Sequence, residues 1–196
     1  MSEVNRFGAI QECLEASAAT ILGLSRRVDV IDKSCQLLIE TVESGGCVFS
    51  AGNGGSAAEA MHMAEELTGR FRGNRRSLPG IALNADGTLL TCIGNDFGFD
   101  AIFARQIEGL GRPGDLLVLF STSGQAQNLL QALIAARAKK MRVMTLLGRD
   151  GGKLAGLSDV ELLVEGDATE RIQEAHQVVM HIWLDAIEQA FTAREV

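Results

Sequence analysis

The sequence predicts an α/β fold, an αβα sandwich on a five-stranded parallel sheet, preceded by two helices. Three observations carry that prediction. Beyond Gly46, short apolar runs each lead into a polar or glycine-containing turn and then a helical stretch, the alternation that a parallel sheet requires. Before Gly46, from about Glu3 to Glu43, there is no proline, and apolar residues recur at helical spacing. Both prolines, Pro79 and Pro113, stand just ahead of an apolar run, where a missing N–H breaks no central ladder.

The first helix is read from Ile10, Cys13, Leu14, Ala18, Ile21 and Leu24, which step mostly by three and four. Arg26 and Arg27 punctuate it. A second helix follows through Val30, Ile31, Cys35, Leu38, Ile39 and Val42 and stops at Gly45-Gly46. A small sheet cannot cover both, so this segment, about 1–45, is expected to pack partly against another copy of the chain. The strands are expected at about Cys47 to Ala51, Gly80 to Asn84, Leu116 to Ser121, Arg142 to Leu147 and Val160 to Val164. A helical stretch over Asn128 to Ala138 follows the third. A long helix from about Ala168 to Arg194, free of glycine and proline, closes the chain. There is no repeat, linker or low-complexity tract, so 1–196 reads as a single domain.

With 196 residues, 46% of them hydrophobic, the chain can bury a core without disulfide or metal staples. Eighteen basic against 25 acidic residues give a net charge of −7, the wrong sign for a general nucleic-acid binder, so any anion must be held by a built site. Cys13, Cys35, Cys47 and Cys92 are widely spaced, with no C-x-x-C, and read as reduced thiols. The first residues lack the basic flank and apolar run of an export signal, and the apolar runs are too short to span a membrane. A cytoplasmic, membrane-free protein is expected.

Ligands of open parallel sheets bind beyond the carboxyl ends of the strands. The turn after the first strand, Ala51-Gly52-Asn53-Gly54-Gly55-Ser56-Ala57, can bend tightly, present backbone N–H groups, and cap the next helix through Ser56. Gly52, Gly54 and Ala57 satisfy the loose dinucleotide pattern G-x-G-x-x-G/A. The second strand, however, ends Leu83-Asn84 with Asp86 too late for a ribose-binding acid, and the Walker lysine is missing. No nucleotide cofactor is expected. A tight turn that merely joins strand to helix remains the plain alternative. The turn Ser121-Thr122-Ser123-Gly124 brings three hydroxyls to a helix start, a phosphate cradle that needs no lysine, or a simple helix cap. Between these loops the helix carries Glu59, His62, Glu65 and Glu66. His62 and Glu66, four apart, share a face and read equally as metal ligands, an acid/base pair or a surface charge pair. The last helix adds Gln173, His176 and His181. The two histidines are about 140° apart, so one of them is structural.

Taken together, Ala51-Gly52-Asn53-Gly54-Gly55-Ser56, Met61-His62, Glu65-Glu66-Leu67-Thr68-Gly69-Arg70, Gly94-Asn95-Asp96-Phe97-Gly98, Ser121-Thr122-Ser123-Gly124 and Arg171-Ile172-Gln173-Glu174 resemble the phosphoheptose isomerases of the sugar isomerase (SIS) family. The resemblance runs over nearly the whole chain. It implies a flavodoxin-like SIS fold, a homotetramer with active sites near subunit interfaces, and conversion of sedoheptulose 7-phosphate to D-glycero-D-manno-heptose 7-phosphate. That aldose feeds nucleotide-activated heptose for bacterial surface glycans such as lipopolysaccharide.

By position, the resemblance implies Glu66 and His181 as the catalytic acid/base pair. It implies phosphate binding at Ser56, Ser121, Thr122 and Ser123, and further substrate contacts at Asn53, Gly54, Gly55, Asn95, Asp96 and Gln173. In some members it implies a zinc ion held by residues matching His62, Glu66, Gln173 and His181. Two departures stand out. Gln125-Ala126-Gln127 lacks a serine that relatives often carry after the phosphate loop, and Ala57-Ala58 replaces a more polar pair. The competing expectation is a non-catalytic relative, such as the DnaA-binding replication regulator, in which the positions matching Glu66 and His181 hold no acid/base residues.

Overall fold

The structure is a computed structural model that describes residues 5–192; the ends of the first and last predicted helices, at Glu3 and Arg194, fall outside them. Two helices open the chain, α1 (Arg6–Gly23) and α2 (Val28–Glu43), joined by a 3₁₀ turn over Leu24–Arg27. The remainder runs β1 (Val48–Gly52), α3 (Gly55–Thr68), β2 (Gly80–Ala82), α4 (Gly87–Phe97), α5 (Ala104–Leu110), β3 (Leu116–Ser121), α6 (Gln127–Ala138), β4 (Arg142–Gly148), β5 (Val160–Val164) and α7 (Thr169–Thr192). All pairings in the five-stranded sheet are parallel, in the order β2-β1-β3-β4-β5. This is the predicted fold class.

Strands β1, β3 and β4 are apolar nearly throughout because helices cover both faces of the sheet. On one face α2, α3 and α7 pack around Leu38, Met63, Phe120 and Trp183. On the other, α4, α5 and α6 pack around Phe49, Phe103, Ile107 and Leu129. The Trp183 indole donates to Ser34 Oγ at 2.6 Å, so the bulkiest core side chain ties α7 to α2 without an unpaired N–H.

The two opening helices differ sharply. α2 buries Ile31, Cys35, Leu37, Leu38 and Val42, whereas no residue of α1 is buried. Phe7, Ile10, Leu14 and Leu22 are exposed on α1, and a recess of about 1240 Å³ lies between this helix and Arg171 and Glu174 of α7. Arg171 pins the helix by donating to the Cys13 carbonyl at 3.0 Å. No helix among the described residues is long and apolar enough to cross a membrane.

Strand ends moved by small amounts, each with a local cause. β2 stops at Ala82 rather than Asn84 because the chain turns there, the Ala85 N–H reaching the Ala82 carbonyl at 3.2 Å. That turn delivers Asp86 as the N-cap of α4, its carboxylate accepting from Leu89 N at 3.0 Å.

Candidate active site

Strand β1 leads into α3 on one face of the sheet and β3 leads into α6 on the other, so the crevice between their carboxyl ends is the topological switch point. Both predicted loops lie there. Asn53 and Asn128 exchange a reciprocal pair of amide hydrogen bonds, each 2.9 Å, that stitches the first loop to the first turn of α6. Asn84 holds the same loop from β2, its amide bonding both N–H and C=O of Gly52 at 3.2 and 2.8 Å.

Ser56 does not cap α3. The helix begins one residue earlier, at Gly55, because Gly54 adopts φ +58°, and the buried Ser56 already lies within the first turn. The Ser56 and Ala57 N–H groups turn back to the carbonyls of Asn53 and Gly54, so they are not the free donors that the sequence suggests. Nor do the hydroxyls after β3 cap α6, whose N-cap is Ala126 without a side-chain bond. Ser121 Oγ accepts from Gly124 N at 3.0 Å and Ser123 Oγ from Gln125 N at 3.4 Å, which leaves each hydroxyl proton available to an anion. Gly124, at φ +61°, is required here: any Cβ would run into the Gly151 carbonyl of the loop after β4.

Beside these loops, α3 and α7 form a groove lined by polar residues. His62 Nε2 is 3.2 Å from Glu66 Oε1, and the amide of Gln177 reaches His62 Nδ1 at 2.7 Å. Glu66 and Gln177 thus engage opposite ring nitrogens of His62. His181 stands edge-on to His62, ring centroids 5.4 Å apart, and stacks on Phe71 at 5.9 Å. Partial burial, then the neighbouring His62, lowers the His181 pKa below the ordinary imidazole value; Glu66 opposes this and Arg72 adds to it. A neutral His181 can accept a hydroxyl proton at neutral pH. Gln173, Gln177 and His181 form one stripe along α7 at steps of four. At its upper end Gln173 packs on the backbone of Gly55, where a Cβ would collide with its amide. The stripe thus runs from the first loop to the level of His62 and Glu66.

His176 is the structural histidine. It is fully buried, with Nε2 3.4 Å from the Leu147 carbonyl and Nδ1 3.7 Å from the buried Glu59 carboxylate. Asn95 and Asp96 are not brought into the groove. They lie exposed on α4 and bond locally, Asn95 Nδ2 to Asp96 Oδ1 at 2.7 Å. Sequence reasoning missed Gln177, Asn128 and Phe71. Only Gln177 left a signal, standing midway between Gln173 and His181.

For a metal, His62, Glu65 and Glu66 offer ligand atoms within 4.8 Å of one another. The 3.2 Å between His62 Nε2 and Glu66 Oε1 suits two corners of a tetrahedron with bonds of roughly 2 Å. His181 is the adjacent nitrogen donor, whereas Gln173 is engaged at Gly55.

The SIS domain family profile matches residues 14–148. The phosphoheptose isomerase of Yersinia pestis (strain Pestoides F) is 48% identical over 172 residues, 87% of this chain and 89% of that protein. Among solved structures, the phosphoheptose isomerase of Neisseria gonorrhoeae aligns with a TM-score of 0.82 at 39% identity, covering 92% of this chain and 99% of that one. A phosphoheptose isomerase from Francisella tularensis aligns with a TM-score of 0.92 at 33% identity, covering 95% and 100%. By this family match and these relatives, the chain belongs to the SIS domain family and, within it, to the phosphoheptose isomerases.

Proposed function

We propose that the chain is an aldose–ketose isomerase acting on sedoheptulose 7-phosphate to give D-glycero-D-manno-heptose 7-phosphate. The observation that carries this reading is the placement, within one chain, of Glu66, His62 and His181 in a groove that opens beside two serine-bearing loops at the switch point of the sheet. The hydroxyls of Ser56, Ser121, Thr122 and Ser123 hold the phosphate, so its binding energy fixes the open-chain sugar rather than taking part in bond changes. Ala126 contributes no hydroxyl, which leaves those four to carry the anion. Asn53, Gly54, Gly55 and Gln173 line the sugar's path from phosphate to carbonyl, and Asn95 and Asp96, which lie on α4 outside the groove of their own chain, contact the sugar bound by a neighbouring copy.

Moving the carbonyl from C2 to C1 removes a proton from C1, forms an enediol and returns a proton to C2. Glu66 takes the C1 proton and delivers one to C2, while neutral His181 accepts the O1 proton and gives one to O2. Atoms balance with no redox partner. His62, hydrogen-bonded to Glu66 and braced by Gln177, fixes the carboxylate's direction.

A zinc ion in this groove would be held by His62, Glu66 and His181, with Gln173 completing the set after leaving Gly55. Bound there, it would polarise the sugar's oxygens as a Lewis acid. Assembly is the second part of the proposal: the exposed apolar side of α1 packs against further copies in a homotetramer, with active sites near the interfaces. A replication-regulator role is not favoured, because both acid/base positions are filled.

The test is incubation of the purified protein with sedoheptulose 7-phosphate, with and without added zinc, followed by NMR detection of the aldose phosphate. Aldose appearing at a rate proportional to protein supports the reading. No aldose under either condition would remove it.

A further inference from the structure

The polypeptide between α3 and β2 holds a buried ion pair that the chemistry above does not use. Arg75 and Glu188 have side chains only 1% and 11% exposed, and Arg75 Nε lies 3.6 Å from Glu188 Oε2. Arg75 donates through Nη2 to the Glu66 carbonyl at 2.7 Å and through Nη1 to the Leu67 carbonyl at 3.0 Å. These are among the last carbonyls of α3, which have no partner inside the helix, so the guanidinium caps the turn that carries Glu66. Glu188 sits on α7 seven residues beyond His181, two helical turns along the same face. Its carboxylate accepts from the main-chain N–H of Arg72 at 3.0 and 3.2 Å and from that of Gly73. The segment so anchored presents Phe71 to the His181 ring, with the Arg72 guanidinium over the Phe71 ring at 4.9 Å and paired to Asp185 at 2.6 Å.

We propose that the buried Arg75–Glu188 pair is a positioning device for the isomerase reaction, holding the last turn of α3, and with it Glu66, at a fixed separation from His181. The inference rests on the isomerase reading and adds two residues to it. One side chain grips the backbone of the general base's own turn, and the other grows from the helix of the proton shuttle. Burial alone would raise the Glu188 pKa, but the Gly73 and Arg72 N–H groups and the Arg75 charge outweigh it and hold the carboxyl below the ordinary glutamate value. The pair is therefore charged at neutral pH. A neutral amide at 188 would turn an NH₂ toward groups that already donate, which loosens the segment without emptying the space.

The test compares wild type, Glu188→Gln and Phe71→Leu with sedoheptulose 7-phosphate. For Glu188→Gln the expected result is a fall in kcat of about 10- to 100-fold, the scale of a small displacement of reacting groups. KM and inhibition by inorganic phosphate should stay within about twofold, because the phosphate loops lie elsewhere. Introduced into a Glu66→Gln background, Glu188→Gln should change residual turnover by less than about threefold, since the group it positions is already gone. Phe71→Leu changes a half-buried side chain at the same contact and should lower kcat several-fold in the same pattern; it carries the test if Glu188→Gln does not fold. Wild-type kcat in the folded variants would overturn the proposal. So would an equal loss in the Glu66→Gln background, or a parallel loss of phosphate binding, since either marks general loosening. A wild type that leaves the ketose phosphate unchanged would instead defeat the isomerase reading, and this inference with it.

Discussion

The α3–α7 groove and α1 both adjoin α7, yet their residues are satisfied in opposite ways. In and beneath the groove polar groups pair within the same chain: His62 has Glu66 and Gln177, Glu188 has the 72–73 backbone, and Arg75 has the end of α3. On α1, Phe7 is 79% exposed and Leu22 72%, and no residue is buried. Asn95 and Asp96 on α4 resemble the α1 side, exposed and bonded only to near neighbours. The contrast teaches that Glu66, His62 and His181, the groups proposed for proton transfer, are brought together by the fold of one chain, whereas the enclosure around them is the work proposed for a second copy.

The contrast is broken most directly at Glu66. Glu66→Gln keeps the side chain's size and its place beside His62, so melting temperature and phosphate inhibition should hold while kcat falls by about 10²- to 10⁴-fold, the usual worth of a positioned general base. Turnover near the wild-type level would move the chemistry out of the groove. At α1 the expected effect is smaller and of another kind. Leu14→Glu replaces an apolar residue that the proposed interface buries, and burying a leucine is worth roughly 1.5–3 kcal/mol. Light scattering should show a shift to smaller species at unchanged helicity, with KM rising as the enclosure is lost. An unchanged mass would leave α1 as a solvated helix.

Much of the fold was legible because the signals are local. Five apolar runs, two prolines, a glycine-rich turn and a hydroxyl-rich turn marked out the sheet, and the spacing of His62 and Glu66 placed them on one face. The misses share a different cause. Ser56 looked like a cap because the helix start turns on Gly54, whose positive φ leaves no mark in the sequence beyond a glycine among several. Gln173 looked like part of the His62 cluster, but Gln177 takes that position, since only packing decides which turn of α7 meets which turn of α3. Arg75 with Glu188, and Asn53 with Asn128, are partners far apart in sequence, and no spacing rule connects them.

The smallest expected effect concerns the thiols, of which Cys13 lies on α1. Burial, then the Asp32 charge, pushes Cys35 up to about 11; burial, then Asp115, pushes Cys47 up to about 11 as well. Cys13 and Cys92 are exposed. At pH 8 a disulfide reagent should therefore modify Cys92 quickly, the half-exposed Cys47 slowly and Cys35 only on unfolding. Slow modification of Cys13 that becomes fast in Leu14→Glu would place α1 in an interface. Because the raised thiols lose their protons first in the unfolded chain, they leave stability unchanged below their ordinary value of 9.0, and stability falls as pH rises from there toward about 11.

Whether one chain supplies both acid/base groups is answered by co-expressing Glu66→Gln and His181→Gln subunits and assaying the mixed assemblies with sedoheptulose 7-phosphate. With both groups in the same groove, every mixed subunit lacks one of them, and turnover should stay at the level of the two inactive parents. Recovery well above either parent would mean that the carboxylate and the imidazole meet across a subunit boundary, and would contradict the arrangement described for this chain.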